Sequence, residues 1–155
     1  MSRPSVKTNP EHVGDFLSSL SSKARSQMFS LAENVAYEEG DVVFRQGDPS
    51  RYLYVVKAGR VAIEIHLPSK GSRRIQTVGP GDVFSWSALI KPYTETASAR
   101  ATHPTEVWRI KREILISTCR KDCAFGFELY RALACAISAR LMATRLQLLD
   151  VFAVP

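Results

Sequence analysis

The chain has 155 residues, of which 45% are hydrophobic and 23% charged, and its formal net charge is +6 at pH 7. A single domain of this length buries about two-thirds of its unfolded surface, so neither a disulfide nor a metal is needed to hold it. No uninterrupted apolar run approaches the roughly 20 residues that cross a bilayer, and the N-terminus lacks the apolar core of a signal peptide. We therefore expect a cytoplasmic protein without a membrane partner.

The first elements in chain order are a tail and two short helices. Residues 1–8 are predicted to be a disordered tail, and Asn9, Pro10 and Glu11 are typical of a helix start. A second helix start is predicted at Ser21 and Ser22. Apolar residues recur at helical spacing after both starts, at Val13, Phe16, Leu17 and Leu20 and then at Ala24, Met28, Leu31 and Ala32. We expect both helices to pack on a sheet as an outer layer.

The stretch from residue 38 to residue 65 is typical of a tightly wound antiparallel sheet. Gly40, Gly47 and Gly59 each close a short run rich in β-branched and aromatic residues. Strands are predicted at about 35–37, 42–44, 52–56, 61–65, 74–78, 97–102 and 106–110, with Val83-Phe84 and a helix-prone segment at 85–90 between the fifth and the sixth of them. Short strands with turns every 8 to 12 residues predict a sandwich, a barrel or a jelly roll.

From Lys111 onward the hydrophobic period becomes helical. A short helix is predicted at 111–119, and one long helix at about 124–151. The long helix carries a stripe at spacings of three and four, formed by Leu129, Leu133, Ile137, Leu141, Thr144, Leu148 and Val151. Since the helix is about 40 Å long, it outruns a small domain, and we expect a homodimer through residues 129–151. The alternative is a monomer that buries the stripe on its own sheet.

The order of these elements resembles the cyclic-nucleotide-binding domain, and most closely the effector domain of bacterial CRP/FNR-type regulators. The residues that carry the resemblance stand in the family's order and spacing: Gly40-Asp41, Gly47-Asp48, Tyr54-Val55-Val56 and Gly59-Arg60-Val61. The resemblance covers about residues 12–151. It implies a bacterial protein with an α+β fold, in which an antiparallel double-stranded β-helix (a jelly-roll-like β-roll) spans about 34–110. Two N-terminal helices, a short inserted cassette helix and C-terminal helices at about 111–151 complete a single domain over residues 9–155.

The resemblance also implies a ligand site at the family's phosphate-binding cassette. The family pattern resembles G-[DE]-x-F-G-E-[LI]-A-L, a loop, and R-[ST]-A-[ST]-x-x-A, whereas this chain has GDVFSWSAL at residues 81–89 and ETASARA at residues 95–101. Ser85 replaces Gly, Trp86 replaces the Glu that binds the ribose 2′-hydroxyl, and Glu95 replaces the Arg that pairs with the cyclic phosphate. The candidate ligand-binding residues are Phe84, Ser85, Trp86, Ser87, Ala88, Glu95, Thr96, Ala97 and Thr144.

These departures predict altered or reduced affinity for cyclic AMP and cyclic GMP. Breaking a buried Arg–phosphate contact costs about 3 to 5 kcal/mol, and a carboxylate in its place repels the phosphate. Arg100 is an alternative cation, but its strand parity is opposite to that of Glu95. Trp86 has two interpretations, a reshaped pocket for another ligand or a plug. Thr144, flanked by Arg140 and Arg145, either contacts a ligand or is a seam position in the long helix.

The basic residues, cysteines and histidines define no further site in the sequence. The positive charge is spread along the chain, which favours a solvated face and leaves an anionic ligand or partner open. Cys119, Cys123 and Cys135 lack further zinc ligands at a familiar spacing, so we expect reduced thiols. The histidines are His12, His66 and His103, without the His-x-His pair of a metal-holding jelly roll. No cofactor, metal ligand or catalytic residue is predicted, and we do not expect an enzyme.

The sequence therefore predicts a regulatory module that senses a cyclic nucleotide or another anionic small molecule and signals through the long helix. The alternative is a degenerate domain that acts as a dimerisation or interaction module with an unidentified protein partner. CRP/FNR regulators carry a helix-turn-helix after the long helix. In this sequence the predicted long helix is followed only by a few residues up to Val154 and Pro155. We therefore do not expect direct DNA binding by this chain.

Overall fold

The computed structural model describes residues 15–153, which form a β-roll flanked by helices. The helices α1 (Asp15–Ser18) and α2 (Ser22–Leu31) precede the strands, and α3 (Arg112–Lys121) and α4 (Cys123–Phe152) follow them. The tail and the helix start predicted at Asn9 to Glu11 lie outside the described residues. The second helix start is confirmed, because the Ser21 hydroxyl accepts a hydrogen bond from the Ala24 N–H at 3.2 Å.

Eight strands form two antiparallel sheets, and the chain passes from one sheet to the other at most of its turns. The strands are β1 (Glu33–Tyr37), β2 (Val42–Phe44), β3 (Tyr52–Ala58), β4 (Val61–Leu67), β5 (Gly71–Val78), β6 (Val83–Phe84), β7 (Ser98–Ala101) and β8 (Thr105–Lys111). One sheet has the order β1-β8-β3-β6 and the other β2-β7-β4-β5. The seven predicted strands and the predicted jelly-roll-like β-roll are confirmed, and β6 is an eighth strand that the sequence does not predict.

Glycine and aspartate close the corners of the roll. Asp41, Asp48 and Asp82 each accept a hydrogen bond from a backbone N–H three residues earlier, at 2.8 to 3.0 Å. Gly59, between β3 and β4, has a φ of +94°, and a Cβ there would lie 2.5 Å from the Pro104 carbonyl oxygen. Only glycine fits this corner, because both the backbone conformation and the space exclude a side chain.

The alternation of β3 divides the apolar residues into two cores. Leu53 and Val55 face the helices and join a cluster with Phe16, Met28 and Leu129. Tyr54 and Val56 point the other way and fill the interior of the roll with Phe84 and residues of the second sheet. The first core fixes the start of α4 on the roll, and the second places the cassette strand β6 at the edge of the roll interior.

The two ends of α4 have different environments. Leu129 and Leu133 are 0% and 4% exposed in their own core, whereas Leu141 and Leu148 are 49% and 53% exposed. The predicted dimer interface over residues 129–151 is therefore too long, because the first two positions of the stripe already pack on their own domain. A dimer face on this helix would begin near Leu141.

By length and composition alone, α4 could cross a bilayer, since an 18-residue window within it has a mean hydropathy of 1.3. This finding differs from the expectation that no stretch of the chain approaches that length. It is weak support for a membrane location, because the first part of α4 packs in a core and helices of soluble proteins pass the same test.

Candidate ligand-binding pocket

A small pocket of about 50 Å³ lies between the roll, the cassette and α4. Seven of the nine predicted site residues line it, and four further residues come from β2, β4, β5 and α4. The lining residues are Phe44, Ile63, Gln76, Phe84, Ser85, Trp86, Ser87, Glu95, Thr96, Ala97 and Arg140. The volume has room for only a few water molecules, so in this conformation the pocket is too small for a nucleotide.

The cassette begins with a left-handed turn at Ser85. Its φ and ψ are 62° and 40°, and it joins β6 to a short 3₁₀ helix, Trp86–Leu89, which is the predicted cassette helix. A non-glycine residue in this conformation costs about 1 to 2 kcal/mol, which explains why the family pattern has Gly here. The preceding residue, Phe84, stacks on Tyr54 with ring centroids 4.9 Å apart. This contact anchors the turn to the roll interior.

Glu95 is held in a buried chain of hydrogen bonds. The Ser85 hydroxyl donates to Glu95 Oε1, and the hydroxyls of Ser50 and Ser85 lie 3.1 Å apart. Glu95 is only 5% exposed, and Ser50 is fully buried. Burial raises the pKa of Glu95, while the hydrogen bonds from Ser85 and Ser50 oppose this effect. The serine at position 85 therefore satisfies a carboxyl group that a glycine would leave without this partner.

Arg140 of α4 covers the cassette from the other side. Its guanidinium lies 4.5 Å from the centroid of the Trp86 ring and donates a hydrogen bond to the Val83 carbonyl oxygen. Burial lowers the pKa of Arg140 to about 10, and the nearby Asp82 acts against this shift. The side chain therefore remains charged at neutral pH. Within residues 15–153, no carboxylate oxygen lies within the 4 Å of an ion pair from it.

Three other residues discussed from the sequence lie away from the pocket lining. Arg100 is ion-paired with Glu64, Nε to Oε1 3.1 Å, so it does not replace the missing cation and its predicted orientation is confirmed. Ala88 is fully buried and does not line the pocket. Thr144 is exposed, and its hydroxyl donates to the Arg140 carbonyl oxygen at 2.9 Å. Ligand contact by Ala88 and Thr144 stays a prediction.

The sequence does not predict Phe44, Ile63 or Gln76 as lining residues or Ser50 as a hydrogen-bond partner, and it indicates Arg140 only as a neighbour of Thr144. Ser50 was part of a predicted loop, and nothing in its spacing links it to position 85 or 95. A buried carboxyl group at position 95 signals that hydrogen-bond partners are needed, but it does not identify them. Arg140 lies one helical turn before Thr144 on the predicted long helix, and this spacing is the sequence feature that places it near the candidate site.

No cysteine or histidine in the described part of the chain lines this pocket. Among residues 15–153, no group of three or more His, Cys, Asp or Glu side chains could hold a metal ion. Cys119, Cys123 and Cys135 are all free thiols, and burial raises the pKa of Cys119.

A β-roll whose pocket is closed by a long C-terminal helix defines a regulatory, small-molecule-sensing domain. The family model described as "Cyclic nucleotide-binding domain" matches residues 34–122, more than half of the chain. The chain therefore belongs to the cyclic nucleotide-binding domain family. The recognition of this family from sequence, with its CRP/FNR-type architecture, is confirmed.

Known proteins similar to the chain include both kinases and transcriptional regulators. A cGMP-dependent protein kinase of Plasmodium berghei is 30% identical over 98 residues, which cover 63% of this chain and 11% of the kinase. A cyclic nucleotide-binding protein of Geobacter metallireducens has a solved structure with 30% identity and a TM-score of 0.69, covering 81% of this chain and 91% of that one. The catabolite activator protein of Thermus thermophilus has 25% identity and a TM-score of 0.74, covering 90% and 63%.

The chain spans only a small part of the kinase and less than two-thirds of the activator. The comparisons therefore establish the domain and its regulatory kind. The activities and partners of those longer proteins are not carried over.

Proposed function

We propose that this domain is a sensor with reduced affinity for cyclic AMP and cyclic GMP, and that it signals through α4 in a non-catalytic, cytoplasmic role. The observation that carries the proposal is Glu95, a buried carboxyl group where the family pattern has the Arg that pairs with the phosphate. Loss of such a contact costs about 3 kcal/mol or more, which is over a hundredfold in affinity. The ligand is a cyclic nucleotide or another anionic small molecule, and no cofactor is required.

The position of Arg140 supports coupling between the pocket and α4. Its side chain crosses from the helix to Trp86 and to the Val83 carbonyl oxygen, and it lines the pocket. A ligand larger than a few water molecules has to move this side chain before it fits. The free energy of binding is then coupled to the position of α4, which is how a ligand shifts a conformational equilibrium.

The test is calorimetric titration of the wild-type chain with cyclic AMP, cyclic GMP and cyclic di-GMP. A pocket that would bind at about 1 µM with the family's Arg should bind at about 100 µM or weaker with Glu95. Submicromolar binding of cyclic AMP or cyclic GMP would contradict reduced affinity. Absence of any heat signal with all three ligands would favour the second candidate function.

The second candidate is a dimerisation or interaction module without a nucleotide ligand. It is favoured by the exposed apolar end of α4, where Leu141, Leu148 and Val151 continue the predicted stripe at coiled-coil spacing. Both candidates require a homodimer through this end of the helix. They differ because only a sensor changes its dimerisation constant when a cyclic nucleotide binds.

Sedimentation equilibrium of wild-type and Leu148→Glu chains tests the dimer. We expect a wild-type dimer and at least a tenfold weaker dimer in the variant, because a charge in an apolar helix seam is desolvated without a partner. Gln147→Glu, which places the same charge on the adjacent polar side, is the control and should stay dimeric. A monomeric wild-type chain would remove the proposed partner surface.

A further inference from the structure

An acidic and a basic side chain line the pocket from different elements without forming an ion pair. The Glu95 carboxyl group lies in the loop three residues before β7 and is held by Ser85. The Arg140 guanidinium reaches in from α4 and rests on Trp86. In the described part of the chain, the four ion pairs within 4 Å involve neither residue. The positive charge of the pocket therefore lies on α4, and a hydrogen-bonding carboxyl group lies at Glu95.

The Arg140 guanidinium has unused hydrogen-bonding capacity in a partly buried place. It has five N–H groups, and the contact to Val83 uses one of its nitrogens. Its planar fork is suited to the paired oxygens of a phosphate or a carboxylate. Burial of this cation is unfavourable, and Asp82 offsets it only from beyond the 4 Å of an ion pair, so an anionic group placed directly against the guanidinium would relieve its desolvation further.

Space for such a group lies next to the side chain. Arg140 and Gln76 line both the pocket and a second cavity of about 200 Å³ between the roll and α4. The α4 wall of the second cavity is made of the small residues Ala136, Ala139 and Ala143, and Asp82 also lines this cavity, so the anion is expected on the Arg140 side of it. If the Arg140 side chain turns, the two cavities join. Their combined volume then approaches roughly 300 Å³, the lower end of the range for small-molecule pockets.

We propose that Arg140 is the anion-binding residue of this pocket, with the ligand's phosphate or carboxylate against α4 and a hydrogen-bond donor of the ligand facing Glu95. This inference rests on the proposed function and names the ligand class for the same site. The polarity is opposite to the one that the family pattern implies, where the cation stands at position 95. A cyclic nucleotide matches this arrangement, because its anionic phosphate can bind Arg140 while hydrogen-bond donors of its ribose or base face Glu95.

Trp86 provides the measurement, because the Arg140 guanidinium lies on its ring. A Trp108→Phe background leaves Trp86 as the single tryptophan, and its emission reports displacement of the guanidinium. The protein is titrated separately with cyclic AMP and with inorganic phosphate. We expect a saturable change with cyclic AMP and at least a tenfold loss of affinity in Arg140→Gln. Arg131→Gln, which removes an exposed charge from the same helix, is the control and should bind as the background does.

A Glu95→Gln variant tests whether the anionic group of the ligand binds at Arg140 or at position 95. If the anion lies at Arg140 and a ligand donor faces Glu95, this substitution leaves the affinity for cyclic AMP unchanged or lowers it a few-fold, because the amide keeps one acceptor oxygen but is a weaker acceptor than a carboxylate. A gain above tenfold, with an unchanged affinity in Arg140→Gln, would overturn the inference and place the anion at position 95. Melting curves of all variants confirm that each is folded.

The two proposals fail in different ways. If cyclic nucleotides do not bind but inorganic phosphate gives a saturable, Arg140-dependent signal, the proposed nucleotide sensor fails and the anion site stands. If cyclic AMP binds with equal affinity in Arg140→Gln, the sensor stands and this inference fails. Absence of a saturable signal with either anion overturns the inference as well.

Discussion

The corners of the β-roll and the pocket between its sheets tolerate substitution differently. At Gly59 the backbone conformation and the close approach of Pro104 leave no alternative to glycine. In the pocket, three family residues are exchanged, and the fold absorbs the change because Ser85 and Ser50 hold Glu95. A side chain can compensate for another side chain, whereas a backbone corner offers nothing to replace a missing glycine.

The largest expected effect is at the corner. Gly59→Ala should lower the free energy of unfolding by about 3 kcal/mol, from the left-handed backbone and from overpacking against residues 104 and 105. Urea unfolding followed by circular dichroism measures it. Gly40→Ala is the matched control, since its φ is +91° but no atom lies within 4 Å of the added Cβ. Its cost should be about 1 kcal/mol. Equal losses in the two variants would mean that the close approach is unimportant.

A smaller effect is expected in the pocket, and it depends on pH. The pKa of Glu95 is raised from its ordinary value of 4.5 by burial, so the folded state binds its proton more tightly than the unfolded state. The contribution of Glu95 to stability is therefore complete below pH 4.5 and is lost as the pH rises through the folded-state pKa. Glu95→Gln removes this dependence.

The check is urea unfolding of wild-type and Glu95→Gln chains between pH 4 and pH 8. The stability of the variant relative to wild type should increase as the pH rises above 4.5 and then level off, with a total change smaller than the Gly59 effect. Parallel stability curves would show that the Glu95 carboxyl group is not perturbed in the folded chain.

The sequence predicts the fold well because its signals are local. Glycine and aspartate at the corners and β-branched runs between them predict seven of the eight strands, all but the two-residue β6, and the period change at Lys111 predicts α3 and α4 within a few residues. The stripe on α4 is a partial failure, since spacing identifies Leu129 and Leu141 alike and does not say which one meets its own domain. That division depends on where α1 and α2 pack, which is a tertiary effect.

The pocket is only partly predictable for the same reason. Family likeness brings together Ser85, Trp86 and Glu95, because they belong to one short segment. It does not reveal that Ser50 completes the hydrogen-bond chain or that Arg140 reaches the pocket from α4. Both contacts join residues far apart in the chain, and neither follows a spacing rule. Their chemistry, a buried acid and an unpaired cation, becomes visible only in three dimensions.

The central claim is that the frame of a cyclic nucleotide-binding domain is intact while its pocket has lost the family's phosphate-pairing charge. The most direct measurement is calorimetric titration of cyclic AMP into the wild-type chain and into the double variant Trp86→Glu, Glu95→Arg, which restores both ligand-reading residues of the family pattern. An intact frame predicts at least a hundredfold tighter binding in the double variant, the equivalent of about 3 kcal/mol. A folded double variant that binds cyclic AMP no better than the wild-type chain would contradict the account.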